Sequence, residues 1–302
     1  MRIGMVGLGK MGANMTERLI KDGHEVVAYD LSQSALKAAE SKGAQVATTL
    51  EELKEKLNPP RIAWVMVPSG DATVSTIDSL FNVFEKGDIV IDGGNSNYKE
   101  ARPVYEKLAS KGIGFIDAGT SGGVWGLENG YCLMVGGDNE VVSAAEPIFK
   151  SLAPTDGYSH VGPIGAGHFV KMVHNGIEYG MLQALGEGFS IMQAAPEFNL
   201  DLHEISSIWR YGSVVRSWLL ELLEIALRNS SSFSEIEGVV VDSGEGRWTA
   251  IESIERGVPA PVILTSLFER FGSRGNAEFS NRIIAALRNQ FGGHAVVTEE
   301  KK

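Results

Sequence analysis

"RIGMVGLGKMGANMTERLIKDG", residues 2–23, decides the fold. A β-branched, apolar strand pattern runs into Gly7, Gly9 and Gly12 at G-x-G-x-x-G spacing, and a helix pattern opens directly behind them. The first glycine permits a tight turn, the second lets backbone approach a pyrophosphate, and the third allows helix to pack on strand. The helix N-terminus favours the anion. Gly7, Leu8, Gly9, Met11 and Gly12 are therefore expected to hold a dinucleotide. The spacing alone is a weak signal, and the strand–turn–helix setting strengthens it. A second strand, "EVVAYD", ends at Asp30, about where the ribose carboxylate belongs. Asp30 would repel a 2′-phosphate, and Leu31 beside it brings no positive charge, so NAD is expected over NADP. Asp30 could instead cap the next helix, although Ser32 is the better N-cap. Gly4 to Lys10 also fits the G-x-x-x-x-G-K of ATPases. Met11, in the next position, cannot ligate magnesium, and Gly4 lies inside the strand, so that match is rejected.

Working outward, strand and helix patterns alternate as far as "GFIDAGTSGG", with short strands "YCLMVGG" and "YSHVGP" after it. Such alternation predicts a doubly wound, parallel sheet of the Rossmann kind. After Pro163 the pattern turns helical: about 167–195, 201–229, 248–256, 261–271 and 276–290, broken only by a short strand-like "EGVVVD". The expected division is a dinucleotide-binding α/β domain over 1–164 and an all-helical substrate and oligomerisation domain over 165–302.

The 302 residues carry a formal net charge of −11 and are 43% hydrophobic. A sizeable core is available, and a broad nucleic-acid interface is disfavoured. One cysteine, Cys132, excludes an internal disulfide framework and suits a reducing compartment. No apolar run is long enough to span a bilayer, and the first strand begins at Ile3 without a signal peptide before it. A soluble, cytoplasmic protein is the expectation. No carboxylate or histidine cluster has metal-ligand spacing, so no metal is expected.

Three stretches could carry chemistry. In "GHFVKMVHNGIEYG", Lys171, His174, Asn175 and Glu178 recur at i, i+3, i+4 and i+7, one stripe of a helix, with Phe169, Val170, Val173 and Ile177 largely opposite. Such a stripe usually faces water, yet its composition is what a proton-transfer site needs. Lys171 and Glu178 are too far apart for an i,i+4 support pair. "GTSGG" at 119–123 looks like a protease nucleophile loop but sits in the wrong fold. At the carboxyl end of a parallel strand, Ser121, Gly122 and Gly123 could instead hold a carboxylate, and Asn95 of "DGGN" could reach the same crevice. Either loop could equally be a plain turn.

"GLGKMG", "IDGGNS", "SGGVWGLENG", "GPIGAGHFVKMVHNGIEYG", "GRWTAIE" and "FGGH" together closely resemble the decarboxylating 6-phosphogluconate dehydrogenases, in their short form without a duplicated helical half. The resemblance implies oxidation of 6-phosphogluconate at C3, loss of C1 as CO₂ and enol protonation to ribulose 5-phosphate. It implies Lys171 as the base and later the acid at C3, Glu178 as proton donor to C1, and Asn175 beside them. Asn95, shared with the cofactor, Ser121, Gly122, Gly123, His174 and Asn175 match positions that hold the sugar acid. Tyr179, Arg270, Arg288 and His294 match positions around its phosphate. The last two are given to a neighbouring subunit in that family, which implies at least a homodimer. One departure stands out: longer members have a lysine and a threonine where "DSGEGRWT" has Ser243 and Glu245. Either Arg247 compensates or the substrate is less strictly phosphorylated. A β-hydroxyacid dehydrogenase acting without decarboxylation is the nearest rival, and a nucleotide-sensing protein without turnover the rival from another class.

Overall fold

The computed structural model describes residues 1–230 and 233–292, and it divides into two compact units, Met1–His174 and Asn175–Lys302. The first unit runs β1 (Arg2–Val6), α1 (Lys10–Lys21), β2 (Glu25–Tyr29), α2 (Gln33–Ser41), β3 (Gln45–Ala47), α3 (Leu50–Lys56), β4 (Ile62–Val65), α4 (Asp71–Val83), β5 (Ile89–Asp92), α5 (Tyr98–Ala109), β6 (Gly114–Ser121), α6 (Gly126–Asn129), β7 (Cys132–Gly137), α7 (Asn139–Leu152) and β8 (Tyr158–Gly162). The strand order is β3-β2-β1-β4-β5-β6-β7-β8. Alternate strand residues feed two cores. Ile3, Met5, Trp64, Ile91 and Ile116 belong to one, Val6, Val65, Val90 and Phe115 to the other. A sheet covered on both faces needs strands apolar at every position, which explains the unbroken apolar runs.

All strand pairs are parallel except β6 with β7. The one antiparallel pair has a local cause: the 122–131 link is shorter than the dozen or so residues that a parallel crossover needs. Also absent from the sequence reading were β3 and α3, a three-residue strand and a charged helix "LEELKEK" with two buried leucines, Leu50 and Leu53. The α7 helix, with Pro147 inside it, was missed as well.

A long helix, α8 (Ala166–Gln193), spans the division between the units. The second unit continues with α9 (Leu202–Trp209), α10 (Trp218–Asn229), α11 (Glu245–Glu255), α12 (Pro261–Ser273) and α13 (Glu278–Gly292). The 201–229 stretch is thus two helices. Gly212 at φ +72° interrupts it, and Ser217 caps α10 by accepting the Leu220 N–H. "EGVVVD" is not a strand, since it pairs with no strand of the single sheet.

Candidate active site

The turn between β1 and α1 has the geometry its glycines predict. Gly7 takes φ +99°, and a Cβ there would lie 2.4 Å from the Met66 carbonyl oxygen. A Cβ on Gly12 would meet the Gly7 carbonyl oxygen at 2.0 Å, so helix and strand touch backbone to backbone. A Cβ on Gly9 would meet nothing within 4 Å. Gly9 is also the N-cap of α1, and neither a capping side chain nor an acidic residue occupies that end. The free N–H groups and the helix dipole are left for a ligand anion. Asp30 steadies the turn: Oδ2 accepts the Leu8 N–H at 2.6 Å and Oδ1 the Ser32 N–H at 2.7 Å. Ser32 is the N-cap of α2, accepting the Ala35 N–H. Leu31 is fully exposed alongside, and Met11 packs against the core.

Asn95 and the 119–123 loop come together. Asn95, at φ +54°, donates through Nδ2 to the Thr120 carbonyl at 3.0 Å and accepts the Thr120 N–H at 2.8 Å. Gly122 and Gly123 both take positive φ, +137° and +53°. The start of α8 presses on the same strand. A Cβ on Gly119 would lie 2.5 Å from the Lys171 Cβ, and one on Gly167 would lie 2.3 Å from the Asp117 carbonyl oxygen. Lys171 is consequently buried, at 5% exposure, as is Asn175, while His174 and Glu178 are half-buried. The stripe is the more covered side of the helix, and Val170 and Ile177 on the opposite side are exposed.

Behind Lys171 lies a charge cluster that the sequence reading missed. His168 Nε2 is 3.1 Å from Asp92 Oδ2, and both side chains are almost wholly buried. Asp117 accepts the backbone N–H of Gly165 at 2.7 Å and of His168 at 2.9 Å, capping α8. Asp92 accepts the Gly94 N–H in the turn that carries Asn95. Burial works against the charged form of each group. At Asp92 the facing His168 outweighs burial and leaves the carboxyl below its ordinary range. At His168 burial is outweighed by Asp92, then Asp117, and the imidazole is raised. At Asp117 burial wins and the carboxyl is raised. The signal available in the sequence was a pair of acids inside strand patterns, "VID" and "FID".

In the helical unit, Tyr179, Ser243 and Arg270 assemble. The Ser243 N–H donates to the Tyr179 hydroxyl oxygen at 3.0 Å, and the two hydroxyls are 3.3 Å apart. Arg270 stacks on the Tyr179 ring, 3.5 Å from its centroid, and Nη1 donates to the Val241 carbonyl. Gly246 admits the ring, since a Cβ there would be 2.3 Å from Tyr179 Cε2. Ser243 donates to Glu245 Oε2 at 2.5 Å, and Glu245 is buried. Arg247 is held by both oxygens of Asp242, at 2.5 and 3.1 Å, with Arg274 on the same carboxylate at 3.0 Å. Arg247 keeps the Asp242 carboxyl below its ordinary range. Arg288 is exposed on α13, and His294 lies outside the described residues. Among the described residues no group of three or more His, Cys, Asp or Glu could hold a metal ion. None of their helices is long and apolar enough to cross a membrane.

Comparison with known proteins gives the arrangement a context. Residues 2–162 match a family model described as the NAD binding domain of 6-phosphogluconate dehydrogenase, and 167–302 one described as 6-phosphogluconate dehydrogenase, C-terminal domain. The chain is 44% identical to the protein YqeC of Bacillus subtilis (strain 168) over 303 residues, covering 100% of both. It is 42% identical to an NAD(+)-dependent, decarboxylating 6-phosphogluconate dehydrogenase of Haloferax volcanii, over 99% of this chain and 100% of that one. The Plasmodium falciparum 6-phosphogluconate dehydrogenase structure superposes with a TM-score of 0.83 at 28% identity, covering 100% of this chain and 67% of that one. A 3-hydroxyisobutyrate dehydrogenase of Mycobacterium tuberculosis shares the fold at 22% identity, with a TM-score of 0.73 over 92% of this chain and 94% of that one.

Proposed function

The chain belongs to the 6-phosphogluconate dehydrogenase family, and from that premise we propose that it oxidises and decarboxylates 6-phosphogluconate to ribulose 5-phosphate and CO₂ with NAD as the preferred acceptor. The observation that carries the reading is Lys171, buried against Gly119 of β6, with buried His168, paired to Asp92, one turn earlier on the same helix. A lysine in such a place has one economical use, to exchange a proton or hold a developing oxyanion.

Bound NAD supplies the hydride acceptor at C3, and the open face of Gly9 with the carboxylate of Asp30 fits its pyrophosphate and ribose. Lys171 takes the C3 hydroxyl proton as hydride leaves. As an ammonium it then holds the ketone oxygen, so that electrons from the breaking C1–C2 bond have somewhere to go. Glu178, two turns along α8, protonates C1 of the enediol. Asn95, Ser121, Gly122, Gly123, His174 and Asn175 orient the sugar acid. Tyr179 and Arg270 take the phosphate, joined by Arg288 and His294 from a second copy of the chain. Phe279, Ile283 and Leu287 form an exposed apolar line on α13, which supports a homodimer in which that helix docks. The 1–164 segment serves the dinucleotide and 165–302 the substrate and assembly. Cytoplasmic work suits the single cysteine.

The test is Lys171→Met, assayed for NADH formation and CO₂ release from 6-phosphogluconate. Turnover should fall by about 10²–10⁴-fold, the usual worth of general acid–base action. Near-native turnover would remove Lys171 from the mechanism. NADH without CO₂ from the wild type would favour a β-hydroxyacid dehydrogenase.

A further inference from the structure

The helix whose N-terminus suits the dinucleotide also grips the loop assigned to the sugar acid. Asn14 and Arg18 lie one turn apart on one face of α1. Asn14 Nδ2 donates to the Val124 carbonyl at 3.2 Å. Arg18 Nη1 donates to the Leu127 carbonyl at 3.2 Å, and its Nε to the Ser151 carbonyl at 3.0 Å. Val124 and Leu127 belong to the link between β6 and β7, directly behind Ser121, Gly122 and Gly123.

The link needs such a hold. Pairing of β6 with β7 ends at Ser121 and Cys132. Beyond it stand glycines at positive φ on both sides, Gly122 (+137°) and Gly123 (+53°) before and Gly130 (+80°) after. Without a Cβ these positions have wide conformational freedom. The far half of the link is fixed from within. The Gly130 N–H donates to the Gly126 carbonyl at 3.1 Å, and a Cβ on Gly126 would lie 2.0 Å from Tyr131 Cε1. Tyr131 itself is fully buried. The near half is less well packed. A Cβ on Gly123 would meet nothing within 4 Å, and Val124 is 57% exposed. There the Asn14 amide does what packing does in the far half.

We propose that Asn14 is a positioning residue for the sugar acid. Acting through the Val124 carbonyl, it sets the Gly122–Gly123 backbone in place relative to α1, and so sets the substrate relative to the dinucleotide. The inference rests on Ser121, Gly122 and Gly123 holding the substrate. A loop that must be ordered when substrate arrives weakens binding by the cost of ordering it. The amide removes that cost in advance, for ground state and transition state alike. Asn14 therefore acts on KM and not on kcat.

The experiment compares the full-length wild type with Asn14→Ala and with Asn14→Leu, which nearly keeps the volume but has no donor. Both substituents suit a helix interior. KM for 6-phosphogluconate at saturating NAD should rise by about 3–10-fold, the worth of one hydrogen bond to a neutral carbonyl. The turnover number and the NAD dissociation constant should not move. Hydrogen exchange followed by mass spectrometry should quicken over residues 122–130 and stay as it is in α1 and the sheet. Unchanged KM in both variants, or unchanged exchange over the link, overturns the proposal and leaves the assigned reaction standing. So does a loss of NAD affinity as large as the loss at the substrate, which would place the damage in α1 itself. A wild type without turnover of 6-phosphogluconate overturns both.

Discussion

The α1 and α11 helices each have a glycine at the N-cap, and they treat their N-termini in opposite ways. The α1 helix starts after Gly9, with no acid in its first turn and open space where a Cβ would be. The α11 helix starts after Gly244 at φ +103°, and its first residue, Glu245, is a buried acid already receiving Ser243. The same backbone device is vacant for an anion in one unit and filled in the other. Charge pairing differs in the same way. The sheet unit hides its cation: the His168 side chain is 0% exposed. The helical unit leaves Arg247 half-exposed, with 49% of its side chain open to solvent.

Breaking the vacant terminus should have the largest effect. Gly12→Ala drives a methyl group into the Gly7 carbonyl, which backbone cannot evade as a flexible side chain could. NAD affinity should fall on the order of 100-fold, equivalent to about 2.8 kcal/mol. Fluorescence titration with NAD measures it. Unchanged affinity would mean that the turn does not seat the cofactor.

Of similar size, but read in stability and not in affinity, is the effect of the hidden cation. Removing one partner of a buried pair strands the other, at a cost of about 3 kcal/mol, and His168→Gln does this to Asp92. The pH dependence fixes the sign. His168 is raised above 6.5, so its share of stability is complete below 6.5 and is lost as pH climbs through the folded value. Asp92 is lowered from 3.8, so its share is present above 3.8 and is lost as pH drops through its folded value. The gap between wild type and His168→Gln in urea unfolding should be widest between those two values and narrow toward alkaline pH. A gap that does not change with pH would show a neutral imidazole.

The sheet unit was the more legible of the two for a physical reason. Gly7, Gly9 and Gly12 act through backbone freedom, which depends only on local sequence, and Asp30 ties to Leu8 because parallel strands bring their ends together. The Asp92–His168–Asp117 cluster was not legible, since it joins the end of β5 and the middle of β6 to a helix start far along the chain. For the α8 stripe, the period gave which residues share a face. Which face is covered was set by Gly119 of β6 closing on Gly167 and Lys171 of the helix, information carried by tertiary packing. In the helical unit, "DSGEGRWT" marked Ser243 and Glu245 as unusual, but the hydrogen bond from Ser243 to Tyr179 joins residues far apart in the chain and has no local signal.

A more modest shift should follow from altering the ribose end. Asp30→Asn with Leu31→Arg removes a repulsion and places a guanidinium where a 2′-phosphate would lie, since position 31 is fully exposed beside the turn. The NADP-to-NAD ratio of kcat/KM should rise about tenfold, equivalent to about 1.4 kcal/mol. Because Asp30 also holds the Leu8 N–H, part of the gain will be offset by a looser turn. A wild type that already prefers NADP would contradict the reading of Asp30.

The smallest effect is expected at Arg247, and it separates Arg247 from Arg270 in the helical unit. By charge alone Arg247 is a natural candidate for the phosphate. Its guanidinium, however, lies against Asp242 through two hydrogen bonds and over the Phe271 ring, 4.5 Å from the centroid. Lending it to a phosphate would break those bonds and leave Asp242 with Arg274 alone. Arg247 is the half-exposed member of the pair, and Arg274 stays on Asp242 when it is removed, so Arg247→Ala should change KM for 6-phosphogluconate by less than about 3-fold and stability by about 0–1 kcal/mol. Arg270→Ala removes the guanidinium stacked on Tyr179, and with it a charge-assisted bond worth about 1.5–3 kcal/mol, so KM should rise by about 10–100-fold. Steady-state kinetics on the two variants side by side decide the matter. A larger penalty at Arg247 than at Arg270 would mean that Asp242 releases its partner when substrate binds, and that the cation at this end of the site is recruited and not preset.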